Sequence, residues 1–150
     1  MFFIVLILIF ASRVNAQQSK DEYKTMIDSA IIIKYNAYKV ANQNNKYHVN
    51  NLYLLNDQDQ TLNYLPSSSK FKAIAVYDDR NRKVITKGIY AWKVFTSLNH
   101  NRFTITIVDF YITYKSHNYN FGNGGGSTTI FEYECDTKNW KLISYENKGN

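Results

Sequence analysis

After one helical stretch, the apolar period of this chain changes from 3.6 to 2 and does not change back. That single switch restricts the architecture to one helix packed against strands. The helical part begins at Ser19-Lys20-Asp21-Glu22, the spacing of a capping box, in which Ser19 accepts from the third amide of the helix and Glu22 reaches back. Tyr23, Met26, Ile27, Ala30, Ile31, Tyr35 and Tyr38 then recur at threes and fours, while Lys24, Asp28 and Lys39 lie off that stripe. Asn42 to Asn45 ends the element. At ~1.5 Å per residue, a helix from Ser19 to Ala41 spans about 33 Å, enough to cross a sheet of five or six strands.

In the second part, Tyr47 to Leu55 is ambiguous between strand and short helix, and Asn56 to Ser69 is a polar loop with the only proline, Pro66. Phe71 to Tyr77 alternates as a strand and closes in the turn Asp78 to Asn81. Val84 to Leu98 follows, with Tyr90, Trp92 and Val94 on one face, Ile89, Ala91 and Phe95 on the other, and Gly88 as a candidate bulge. Phe103 to Tyr114 (FTITIVDFYITY) is the cleanest strand. Its apolar series changes parity at Asp109, from Phe103, Ile105 and Ile107 to Phe110, Ile112 and Tyr114, which predicts a β-bulge there. Thr128 to Glu134 and Trp140 to Tyr145 form a hairpin across Asp136 to Asn139.

Ahead of the helix, Met1 to Ala11 is an unbroken apolar run followed by Val14-Asn15-Ala16, small residues at the offset signal peptidase requires. Residues 1–16 therefore read as a signal peptide and 17–150 as a single α+β domain, exported to the periplasm or outside the cell. The run is about half of the ~20 residues a membrane-spanning helix needs, so no stable span is expected after signal removal. It lacks a basic residue in front, Arg13 following it instead. A lone cysteine, Cys135, excludes an internal disulfide, and the thiol is either buried and inert or an exposed group able to pair between chains. The net charge is +6 and falls by one when Arg13 leaves. The basic residues are scattered, and the cluster Arg80 to Lys83 is offset by Asp78 and Asp79, so no nucleic-acid partner is expected.

The long strands after one amphipathic helix resemble the cystatin-like and nuclear transport factor 2-like group of helix-plus-curved-sheet folds. The last sixty or so residues, with Gly122 to Gly126, Phe131-Glu132-Tyr133 and Asn139-Trp140-Lys141-Leu142, are also similar to the closing hairpin of small exported bacterial proteins of unassigned function. The resemblance implies an α+β fold with one N-terminal amphipathic helix packed on a curved antiparallel sheet of about four to six strands. It transfers no catalytic residue, and the chain has fewer helices than the usual nuclear transport factor 2-like cone.

Most chemical motifs are excluded by what surrounds them. Gly122 to Ser127 is followed by strand-forming residues and no Gly-Lys-Ser/Thr, so it reads as a flexible β-connection and not as a phosphate loop. His48, His100 and His117 are 52 and 17 residues apart, matching no metal-ligand spacing, and the latter two fall in turns at either end of one strand. No metal or cofactor is expected. Cys135 lacks an evident base and no Gly-x-Ser-x-Gly occurs, which leaves nucleophilic hydrolysis without its parts.

Two constellations remain. Asp109 is a carboxylate in an otherwise apolar strand, where burial raises its pKa and a tyrosine donor beside it would give isomerase or dehydratase chemistry, as the resemblance to the nuclear transport factor 2-like group implies. A bulge that turns Asp109 to solvent explains it equally well. The thirteen tyrosines, nine phenylalanines and two tryptophans suit half-buried strands, but in an exported protein they also supply sugar-stacking platforms or interface anchors. Tyr90, Trp92 and Trp140 are the candidates for an exposed ligand-binding patch. The expectation is a non-catalytic binding module for a protein or glycan partner at the cell envelope, with the Asp109 enzyme and a structural or inhibitor-like interaction protein as alternatives.

Overall fold

A computed structural model describes residues 2–42, 51–62, 66 and 70–148, with side chains in the first helix described from residue 22 onward. The chain is α+β. Helix α1 (Phe2–Ala41) is followed by β1 (Leu52–Leu55), β2 (Phe71–Ala73), a 3-10 turn (Asp79–Asn81) and a short helix α2 (Arg82–Thr86). Strands β3 (Ile89–Asn99), β4 (Arg102–Lys115), β5 (Asn118–Glu134) and β6 (Asn139–Lys148) complete a six-stranded sheet of order β2-β1-β3-β4-β5-β6.

Three expectations are corrected here. Helix α1 does not start at Ser19 but runs unbroken from Phe2, because residues 2–18 contain neither Pro nor Gly to interrupt a run of helix-tolerant residues. Its end falls as expected: the Asn42 amide and side-chain Nδ2 both donate to the Tyr38 carbonyl at 3.0 Å. The sheet is mixed, not antiparallel, since β1 pairs in parallel with both β2 and β3 while β3 to β6 form an antiparallel meander. The third correction concerns Val84 to Gly88, which is helix and turn; Asp78 caps the 3-10 turn that leads into it, its side chain accepting from the Arg80 amide. Gly88 sits in the left-handed region at φ +84° with the Tyr111 hydroxyl against it, so it is a turn glycine and not a bulge. Residues 47–50 of the ambiguous stretch lie outside the described residues, and its remainder includes strand β1.

The glycine-rich segment is strand as well. β5 begins at Asn118, ten residues before the expected start, and pairs with β4 from Asn118 to Glu132 with one interruption. The hairpin between them turns through Ser116 and His117, both at positive φ (49° and 63°), the pattern of a type I′ turn. At Gly126 a side chain is forbidden: a Cβ there would lie 2.6 Å from the Ile107 carbonyl oxygen. Gly126→Ala is therefore expected to push β5 off β4 and cost about 2 kcal/mol. Gly122→Ala, whose Cβ meets only the Tyr111 carbonyl oxygen at 3.6 Å, should stay within about 0.5 kcal/mol of the parent. Urea unfolding of both variants checks this, and equal losses would refute the close-approach explanation.

The parity switch in β4 has a cause that alternation alone does not reveal. Cross-strand partners share a face, so Phe103, Ile105, Ile107, Asp109 and Tyr111 point one way, and Phe110, Ile112 and Tyr114 the other. The first face carries a core of Leu52, Leu54, Phe71, Trp92, Val94, Phe103, Ile105, Ile107 and Phe131 clustered with Met26, Ala30, Ile31 and Tyr35 of α1. The second carries Leu55, Ile89, Ala91 and Ile112 clustered with Ile74, Val76 and Ile85 from the β2 to β3 connection. The sheet thus buries opposite faces at its two ends, and β4 changes its apolar parity where the cover changes sides.

Candidate functional site

At the changeover, the row Trp92, Asp109, Gly125 crosses β3, β4 and β5 on the α1 face. The ladder shifts register between Asp109 and Phe110, where a bulge was expected. The extra residue is not on β4, however. Asp109 pairs with Gly125 and Phe110 with Asn123, leaving Gly124 on β5 unpaired. Gly125 takes φ +109°, which a glycine adopts without strain, and its amide donates to Asn123 Oδ1 at 2.8 Å. A run of glycines beside Asp109 leaves room above the strand, so the segment has a steric role that a flexible connector would not.

The alternation that continues through Asp109 aims its side chain at the helix and not at solvent. Lys34 of α1 meets it, with Nζ 2.8 Å from Oδ1 and donating a hydrogen bond to Oδ2 at 3.1 Å. The Lys34 side chain is only 2% exposed and that of Asp109 17%. Lys34 Nζ also lies 5.0 Å from the Trp92 ring centroid, a cation–π contact. Burial raises the Asp109 carboxyl above its ordinary 3.8, and the Lys34 hydrogen bond and charge offset only part of that. Burial, then the Asp109 charge, then Tyr90, push the Tyr38 phenol upward. Tyr38 packs edge-on against Trp92 with centroids 5.5 Å apart.

Around this pair is an open cleft of about 320 Å³, walled by Tyr38, Tyr90, Trp92 and Tyr111 and floored by Asp109 and the glycines of β5. Tyr90 and Tyr111 are cross-strand partners with ring centroids 4.9 Å apart. Asn42 and Asn123 add amides to its wall. The arrangement offers ring faces, amides and a carboxylate to one small polar molecule.

Three of the four residues singled out from sequence, Asp109, Tyr90 and Trp92, thus line one cleft. They do not form the exposed patch expected of the tryptophans. Trp92 is 1% exposed, a core residue, and Trp140 packs elsewhere against Tyr23, Phe103 and Tyr133. Lys34, Tyr38 and Tyr111 were missed. Cys135 is exposed in the β5 to β6 turn, the second of its two expected placements. His100 and His117 lie in turns at opposite ends of β4, and His48 lies outside the described residues. Among the described residues, no group of three or more His, Cys, Asp or Glu could hold a metal, and no helix is long and apolar enough to cross a membrane.

No family model matches the chain, and neither a curated protein nor a solved structure matches it.

Proposed function

We propose that the chain is an exported binding module whose aromatic cleft takes a glycan. The observation that carries this reading is the convergence of Tyr38, Tyr90 and Tyr111 around the Asp109 carboxylate. Sugars present apolar ring faces that stack on aromatic side chains and hydroxyls that pair with amides and carboxylates. The apolar run Met1 to Ala11 with Val14-Asn15-Ala16 supports export to the periplasm or beyond. Contacts of α1 with the sheet, and bulges at Gly124 and Ile143 that bend β5 and β6, support a helix on a curved sheet of the cystatin-like or nuclear transport factor 2-like kind. The parallel edge formed by β1 and β2 departs from that pattern.

Titration calorimetry against a panel of oligosaccharides tests the reading. Binding that weakens about tenfold or more in Tyr38→Ala, with unchanged circular dichroism, is the expected result. A panel that yields no ligand, or a ligand indifferent to Tyr38→Ala and Tyr111→Ala, would overturn it.

A second reading has its own support: the raised Asp109 carboxyl, with the Tyr38 phenol beside it, has the parts of a general base and a hydroxyl donor for isomerase or dehydratase chemistry. In that case Asp109→Asn abolishes turnover of a bound ligand while the fold persists. A fully active Asp109→Asn protein would eliminate it.

A further inference from the structure

A second cleft, of about 500 Å³, adjoins the first through Tyr90 and Tyr111, which line both. Its other walls carry Lys72 on β2, Lys83 on α2 and Lys87 just after it, together with Tyr53. No carboxylate is among the described residues that line it.

The three ammonium groups are arranged in different ways. Lys72 is held in place, donating to Asn51 Oδ1 at 2.6 Å with its Nζ 5.8 Å from the Tyr53 ring centroid. That hydrogen bond uses one of three ammonium protons. Lys83 and Lys87 are exposed and stand four residues apart across a helical turn, a spacing that puts both on one side and makes them repel. The neighbouring Arg80 and Arg82 pair with Asp78 and Asp79, so those local acids are already engaged. A pocket with three cations and no acid on its walls gathers a ligand of opposite sign.

We infer that the ligand of this protein is an acidic saccharide, with a ring in the aromatic cleft and a carboxylate or other anionic substituent held by Lys72, Lys83 and Lys87. This rests on the glycan reading above. Tyr90 and Tyr111 form the shared wall, so a ligand leaving the Asp109 cleft past them meets the lysines. Charge also sorts the two compartments: in the first cleft Lys34 already matches Asp109, which leaves no spare cation for an acidic group, whereas the second carries three lysines and attracts it.

The test compares uronate-bearing oligosaccharides with their methyl-esterified, uncharged forms, by titration calorimetry at low salt. Three exposed or partly exposed charge contacts together correspond to a preference of about tenfold for the acidic form. The triple variant K72Q/K83Q/K87Q should lose that preference and keep the affinity for the esterified form. Added salt should erode the same preference in the parent protein. Equal binding of acidic and esterified forms would overturn the inference and leave the glycan reading standing. Acidic forms that bind through the lysines yet ignore Tyr38→Ala would overturn both, leaving an anion site unconnected to the aromatic cleft. If neither form binds, both fail as well.

Discussion

Trp92→Ala is expected to destabilise the domain by about 4 kcal/mol and to lower its melting temperature by roughly 10 to 15 °C. The indole is 1% exposed and touches several elements: Phe71 on β2 at 5.8 Å, Tyr38 on α1 at 5.5 Å, and the Lys34 ammonium above its face. Truncation would open a cavity under the helix and remove the wall against which the ion pair rests. Trp140→Ala makes the comparison sharp. That ring is half-buried and packs near the outer end of the sheet, so its removal should cost about half as much. Thermal unfolding followed by circular dichroism gives both numbers. A Trp92→Ala loss below about 1.5 kcal/mol would contradict the central place assigned to this residue.

Lys34→Met should cost about 3 kcal/mol at neutral pH, because it strands the Asp109 carboxylate beneath the helix without its counter-ion. The effect has a direction in pH. Asp109 already titrates above 3.8 when folded, since burial outweighs Lys34, so the folded state holds this proton more tightly than the unfolded chain does. The stability linked to that proton is complete below 3.8 and is lost as pH rises through the folded value. Removing Lys34 raises the folded value further and widens the loss. The Lys34→Met penalty should therefore be small near pH 3.5 and full near pH 7, and Asp109→Asn combined with Lys34→Met should recover most of it. Urea unfolding at the two pH values decides the matter; a penalty independent of pH would show that Lys34 acts through packing alone.

The elements that were legible in the sequence are those governed by period. The α1 stripe, the alternation of β3 and β4 and the closing hairpin all follow from where apolar side chains repeat. What escaped was partnership. Parallel pairing of β1 with β3 joins segments whose short apolar runs carry no signature of direction. The reversal of parity at Asp109 was visible, but one-dimensional alternation cannot distinguish a slipped strand from a sheet covered on different sides at its two ends. Lys34 did leave a trace: it stands four residues after Ala30 and four before Tyr38, on the apolar stripe itself. A charge at such a position asks for an opposite charge on whatever the helix covers, and Asp109 was the one acid in the apolar strand FTITIVDFYITY.

The two-sided burial of the sheet also has a consequence in time. The cluster on the far face closes largely within residues 53 to 121, whose parts are near one another along the chain. The cluster beneath α1 does not, for Met26, Ile31 and Tyr35 must meet Phe103, Ile105, Ile107 and Phe131, which belong to the last third of the chain. A ribosome delivers the N-terminus first, and long loops close slowly. Helix α1, made before the strands that cover it, is therefore among the latest elements to be buried, and until β4 and β5 exist its apolar stripe has no complete surface of its own chain to rest on.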